Sequence, residues 1–226
     1  MAVLENLINK QFREHFLKLK LSVKKKCKVL PCITVSQENG SGGRPVARLV
    51  SKRLHYKFYD KELIELIAKK SNVKKSLVRS LDEKTQGAIE SIIDNFLGLH
   101  RLSEHTYIKS LARVVLAICS KENAVILGRG GNFIVPPNQV LRVRIIAPFK
   151  IRIKNSKAYE YPKLSEMDIR ERLLKVHIER KEFIRKYFHK DLSNANYYDL
   201  VINTEHLSLD QSAKIIISAY KNKFNL

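Results

Sequence analysis

Apolar positions along the chain follow two rhythms: short unbroken runs, and segments whose apolar residues recur three and four apart. Val29–Ser36 is a short run rich in β-branched residues and predicts a buried strand. From Arg44 the spacing turns helical through Val46, Leu49, Val50 and Leu54, with Pro45 near the start, where its missing N–H costs nothing. Lys57–Asp60 predicts a short second strand ending in an acid, and Glu62–Lys70 resumes helical spacing. Leu77–Leu81, Ile89–Leu99 and Leu102–Ser120 stay helical in period across short polar breaks. Ala124–Leu127 and Val140–Ala147 predict two more strands, the first stopping at Gly128-Arg129-Gly130-Gly131-Asn132 and the second at Pro148. A basic helical stretch, a polar hinge around Ser156–Ser165 and a long helix from about Asp168 to Phe188 follow. Tyr198–Asn203 closes the strand series, and Leu209–Lys221 is the final helix. Strands alternating with helices predict an α/β chain whose mostly parallel sheet is covered on both faces.

Charge changes this picture at one end. The 226 residues carry a net charge of +21, which favours anionic partners such as nucleotides, nucleic acid or acidic lipid headgroups. Residues 1–28 hold Lys10, Arg13, Lys18, Lys20, Lys24, Lys25, Lys26 and Lys28 against Glu5 and Glu14 only, and read as a basic helical arm. Such an arm is a solubilising tail or a nucleic-acid or membrane-surface contact; sparse aromatics give base stacking little support. The remainder, 29–226, is long enough for one core with an insertion. No apolar run is long enough to span a bilayer, no secretory order opens the chain, and Cys27, Cys32 and Cys119 make no disulfide framework. These features predict a reduced, cytoplasmic protein. The seven histidines show no metal spacing, and no nucleophile elbow is present.

The most telling stretch is Cys32-Ile33-Thr34-Val35-Ser36-Gln37-Glu38-Asn39-Gly40-Ser41-Gly42-Gly43-Arg44-Pro45. Strand, glycine turn and helix start, in that order, can hold a phosphate on inward N–H groups and the helix dipole. Ligands of open α/β sheets sit beyond the carboxyl ends of strands, which also brings in Asp60 and Gly128-Arg129-Gly130. Arg129 is either an anion fork or a surface arginine in a tight turn. Asp60 either caps the next helix or meets ligand. Arg180 falls within the stripe of Ile169, Leu173, Val176, Phe183 and Tyr187 when Asp168–Phe188 is wound as a helix. A guanidinium aimed at an apolar side needs an anion, either an acid of this chain or a ligand phosphate.

Together these pieces resemble the cytidylate kinase-like family, relatives of the P-loop nucleoside monophosphate kinases. The resemblance runs through Ile33–Ser36, Gly40–Arg44, Phe58-Tyr59-Asp60-Lys61-Glu62-Leu63, Gly128-Arg129-Gly130, Ala147-Pro148 with Arg152, and Tyr198–Thr204. It implies a three-layer P-loop NTPase-type core, a mobile helical monophosphate-binding insert at about 61–120, and an arginine-rich lid at about 152–190. It also implies ATP as phosphoryl donor, Mg²⁺, and a CMP-like acceptor. Carried over by position, Gly40, Ser41, Gly42, Gly43 and Arg44 would wrap the ATP phosphates. Asp60 and Arg129 would face the acceptor, while Arg152 and Arg180, with Arg44, would neutralise the migrating phosphoryl. Against the full pattern G-x-x-x-x-G-K-[ST], Gln37 stands at the first glycine, Gly43 at the lysine and Arg44 at the magnesium-holding hydroxyl. His177 stands where an acid is expected ahead of the lid arginine. Three readings follow: a nucleotide kinase, a non-catalytic nucleotide-binding sensor or regulator on the same scaffold, and a nucleic-acid-associated protein.

Overall fold

The computed structural model describes residues 31–69, 71–100 and 106–226. The basic arm at 1–28, the first residues of the expected Val29–Ser36 strand and the start of Leu102–Ser120 lie outside them. The elements are β1 (Cys32–Gln37), α1 (Gly43–Leu54), β2 (Lys57–Tyr59), α2 (Lys61–Lys69), α3 (Ser71–Arg79), α4 (Glu83–His100) and α5 (Thr106–Lys121). Then come β3 (Ala124–Leu127), α6 (Gly131–Ile134), β4 (Val140–Ile146), α7 (Phe149–Tyr159), α8 (Glu166–Phe188), β5 (Leu200–Asn203) and α9 (Leu209–Phe224).

Five strands form one sheet in the order β2-β3-β1-β4-β5, and every pairing is parallel. Parallel pairing demands crossovers, and the helices between strands supply them on both faces. Strand alternation then sorts the core. Ile33, Val35, Val125, Leu127, Leu141, Val143 and Ile145 face α1 and α9, with Val46, Val50, Ile216 and Tyr220 completing that layer. Cys32, Ala124, Ile126 and Val140 face the other way, against α5, the α2–α4 helices and the end of α8. The result is the three-layer, P-loop NTPase-type arrangement.

Helix α5 is buried almost all round, from Ile108 through Cys119, which is why its apolar spacing is nearly continuous. It lies between the sheet and helices α2–α4. Helix α8 belongs to two packing units. Ile169 and Leu173 pack with Ile153 of α7 in a small separate cluster, whereas Ile184 and Phe188 join the main core. Capping boxes start α8 at Ser165 with Asp168, and α9 at Ser208 with Gln211. Cys32 and Cys119, far apart in sequence, are both buried and free, with sulfurs 2.7 Å apart. Among the described residues no helix is long and apolar enough to cross a membrane.

Candidate functional site

The glycine turn between β1 and α1 lies at the carboxyl edge of the sheet, beside the ends of β3 and β4. Gly128 N–H donates to Val35 O at 2.9 Å, and Glu38 N–H donates to Ile145 O at 3.0 Å. Gly40 and Gly42 have φ of +80° and +77°, left-handed values that other residues rarely adopt. A Cβ on Gly43 would stand 2.6 Å from Cβ of Gln37. The Ser41 side chain points into the protein, its hydroxyl donating to Glu38 O (2.8 Å) and Ile145 O (3.2 Å). Among the described residues, no protein acceptor takes the N–H of Asn39, Gly40, Gly42, Gly43 or Arg44. These N–H groups, at the entry of a twelve-residue helix, form a ready anion site.

Three guanidiniums line this turn, and a fourth stands close to one of them. Arg144 projects from β4 on the same face as Ser36, its register partner, and donates to Ser36 Oγ at 3.2 Å. It lies 3.8 Å from Glu38 and over the ring of Tyr198. Arg152 of α7 donates through Nε to Asn39 O (2.7 Å) and stands 3.7 Å from the same Glu38 carboxylate. Arg180 of α8 donates to Gln37 O (2.8 Å) and to Asn39 Oδ1 (3.4 Å). Arg129, in the turn after β3 with φ +53°, pairs with Glu65 of α2 at 2.7 Å and stacks on Phe183, one turn beyond Arg180.

Burial, and then the charge of Arg180, push Arg129 down to about 10, still protonated at neutral pH. Burial also lowers Arg152 and Arg180, with Glu38 and Glu160 respectively opposing the shift. His177, one turn before Arg180, is likewise held below the usual histidine range by burial and then by Arg152. Four guanidiniums thus stand near three carboxylates, Glu38, Glu65 and Glu160, leaving an excess of one positive charge (4 − 3). Arg129 Nε and Arg152 Nη2 are buried with no acceptor. A buried, under-neutralised cluster of this kind calls for an anion.

The glycine turn, Arg129, Arg152 and Arg180 therefore come together. Arg180 hydrogen-bonds a backbone and an amide oxygen of the turn, with Glu160 near enough to favour its charge. The Arg44 guanidinium turns the other way, onto Asp60 (2.5 Å) and Glu62 (3.5 Å), so only its N–H faces the cradle. Asp60 also caps α2 through Leu63 N–H (3.1 Å). Burial raises its carboxyl, but the Leu63 N–H and Arg44 outweigh that and hold it below the usual carboxylate range. Sequence reasoning missed Arg144, Glu38, Asn39 and Glu65. An arginine inside the apolar strand Val140–Ile146 was the one available signal.

The cradle suits an oligophosphate. It offers little to a metal held by protein, because Arg44 stands at the helix-start position where a magnesium-holding hydroxyl is expected.

The model of the cytidylate kinase-like family matches residues 32–206. The chain is 26% identical over 184 residues to the cytidylate kinase of Staphylothermus marinus, covering 81% of this chain and 93% of that one. It is 26% identical over 192 residues to the cytidylate kinase of Sulfolobus acidocaldarius, covering 84% and 94%. The solved structure of an uncharacterized protein from Eubacterium ventriosum superposes with a TM-score of 0.59 at 20% identity, covering 84% of this chain and 98% of that one; this likeness is one of fold. The family match begins on the first residue of β1, takes in the cradle and its four arginines, and runs past the end of β5, so this chain, on a nucleotide-binding fold of the phosphotransfer type, belongs to the cytidylate kinase-like family.

Proposed function

We propose that the protein is a nucleoside monophosphate kinase that moves the γ-phosphoryl group of ATP onto a CMP-like acceptor. The observation that carries this reading is the surplus of buried guanidinium charge around the N–H cradle. Phosphoryl transfer asks for alignment and positive charge around the moving group rather than covalent help, and this site offers both. The turn N–H groups of Gly40, Gly42, Gly43 and Arg44 hold the donor phosphates, with Ser41 bracing the turn from inside. Arg152 and Arg180 meet the migrating group from α7 and α8. Arg129 takes the acceptor phosphate when Glu65 yields, and Asp60, through Arg44, fixes the edge of the acceptor side. Mg²⁺, where present, would be carried by the nucleotide phosphates rather than held by residues of this chain, and would add positive charge there.

In this reading, helices α2–α5 are the acceptor insert, and α7 with the first half of α8 is the lid. A lid motion must hinge ahead of Ile184, because Ile184 and Phe188 belong to the core. Closure then excludes water that would otherwise accept the phosphoryl. A reaction on free nucleotides is in keeping with the cytoplasmic location expected from the sequence.

A panel of nucleoside monophosphates with ATP and Mg²⁺, read as ADP release, tests the proposal. ADP formation must depend on the added monophosphate and fall in Arg129→Ala and Arg180→Ala. The sensor reading draws on one observation, that Arg44 pairs with Asp60 and leaves no cation from the turn itself. Nucleotide-induced thermal stabilisation without turnover selects it.

A further inference from the structure

We propose that the glycine turn binds the oligophosphate of its nucleotide through guanidinium and backbone N–H groups alone, so that recognition requires no divalent cation. The inference rests on the nucleotide-site reading above and specifies how that site neutralises charge.

Oxygen atoms around the turn that could hold a hard cation are already committed. Glu38 lies between Arg144 (3.8 Å) and Arg152 (3.7 Å) and accepts the N–H of Ala147 at 3.2 Å. Ser41 donates inward to Glu38 O and Ile145 O, and Thr204 donates to Ser41 O at 2.8 Å. Ser36 Oγ faces Arg144 and the Tyr198 hydroxyl. Asp60 is held by Arg44 and the start of α2. A divalent ion wants several uncommitted oxygens, and here it would also approach four guanidiniums of its own sign.

The anion-binding groups are in the opposite state. Arg129 Nε and Arg152 Nη2 are buried without an acceptor, and five N–H groups of the turn are unclaimed among the described residues. Arg180 spends its fork on a carbonyl and an amide oxygen, weaker acceptors than an ionised phosphate. An oligophosphate therefore supplies the kind of acceptor that these groups lack, while a cation held by the protein supplies none.

Binding separates this from the usual arrangement, whereas turnover does not, because Mg²⁺ bound to the phosphates can still serve chemistry. The full chain is titrated with a non-hydrolysable ATP analogue by calorimetry, once in excess Mg²⁺ and once in excess EDTA at matched ionic strength. The dissociation constants should agree within about threefold. Inorganic tripolyphosphate should compete in EDTA, and Arg152→Gln should weaken both titrations alike. Binding about tenfold or more tighter with Mg²⁺ overturns this inference and leaves the nucleotide-site reading intact. Binding in neither condition overturns both. If Arg152→Gln fails to fold, the paired titrations of the parent chain still decide.

Discussion

Arg180 tests whether the cradle is built for a ligand or for the fold. Its guanidinium is held by Gln37 O and Asn39 Oδ1, and burial together with the charges of Arg152 and Arg144 disfavours its protonated form. Arg180→Met keeps the apolar stem and removes the charge. Two hydrogen bonds disappear, costing roughly 1 kcal/mol net each, but the desolvation of a charge among like charges disappears with them. The ligand-free protein should stay within about 1 kcal/mol of the parent or become more stable. ADP binding should move the other way: a charge-assisted contact to phosphate contributes about 1.5–3 kcal/mol, which predicts a loss of about 10- to 100-fold. Chemical denaturation gives the first number and calorimetric titration the second. Arg180→Lys, a compact charge without the planar fork, should recover only part of the binding. If Arg180→Met lost more than about 2 kcal/mol of stability and still bound ADP like the parent, Arg180 would be a strut between α8 and the turn.

Gly43→Ala places a Cβ against Gln37, and overpacking of about 1–3 kcal/mol should accompany loss of nucleotide binding; unaltered binding would separate the turn from the phosphates. Glu65→Gln removes the 2.7 Å partner of Arg129, so ligand-free thermal stability should fall while CMP stabilises the variant more than the parent. An equal or smaller CMP shift would rule out Glu65 as the carboxylate that the acceptor displaces. Asp199 ties β4 to α9 through Arg142 (2.7 Å) and Lys223 (2.8 Å), and these contacts overcome burial to hold its carboxyl at about 2. A depressed carboxylate stabilises above its unfolded value of about 4 and loses that contribution as pH falls toward 2. Discounted for partial solvent exposure, the parent should exceed Asp199→Asn by about 1–2 kcal/mol at pH 7, and the gap should close between pH 4 and 2. A gap that persists at pH 2 would show that packing, not charge, is at issue.

Periodicity made most of the fold legible because its causes are local. Ala124–Leu127 is apolar at every position since both of its faces are covered, and α8 carries its inward stripe at helical spacing. The expected Leu77–Leu81 helix is instead α3, one turn and a half earlier and ending at Arg79, because Ser80 and Leu81 already close its last turn. Helix α6 was missed altogether: Gly130-Gly131 reads as loop, and the turn forms because Gly131 fits closely on Thr34 and Ile126. Arg180 could be found from its stripe and Arg129 from its glycines. Arg144 had only its place in an apolar strand to mark it, since its meaning depends on a parallel register with Ser36, set by residues more than a hundred positions apart. Arg44 shows the converse: nearness to the turn in sequence suggests a phosphate contact, yet Asp60, brought alongside by β2, takes its charge.

The cradle's N–H groups are aimed by bonds hidden behind the turn. Thr204, just past β5, donates to Ser41 O at 2.8 Å and draws that carbonyl inward. A trans peptide is planar, so the Gly42 N–H on the same unit must face the opposite way, out of the protein. Ser41 repeats the logic one step earlier by gripping Glu38 O and Ile145 O. Half of the guanidinium wall comes from a different quarter, α7 and α8, whose Arg152 and Arg180 bond the carbonyls of Asn39 and Gln37, while Arg144 and Arg129 ride on β4 and the turn after β3. A lysine on the turn would unite both duties in one residue; here they are divided between a backbone oriented from beneath and charges delivered from above. In the kinase reading, such a division lets Arg152 and Arg180 shift with α7 and the early part of α8 while the N–H groups, Arg129 and Arg144 stay with the sheet, the separation of parts that closure over a nucleotide would require.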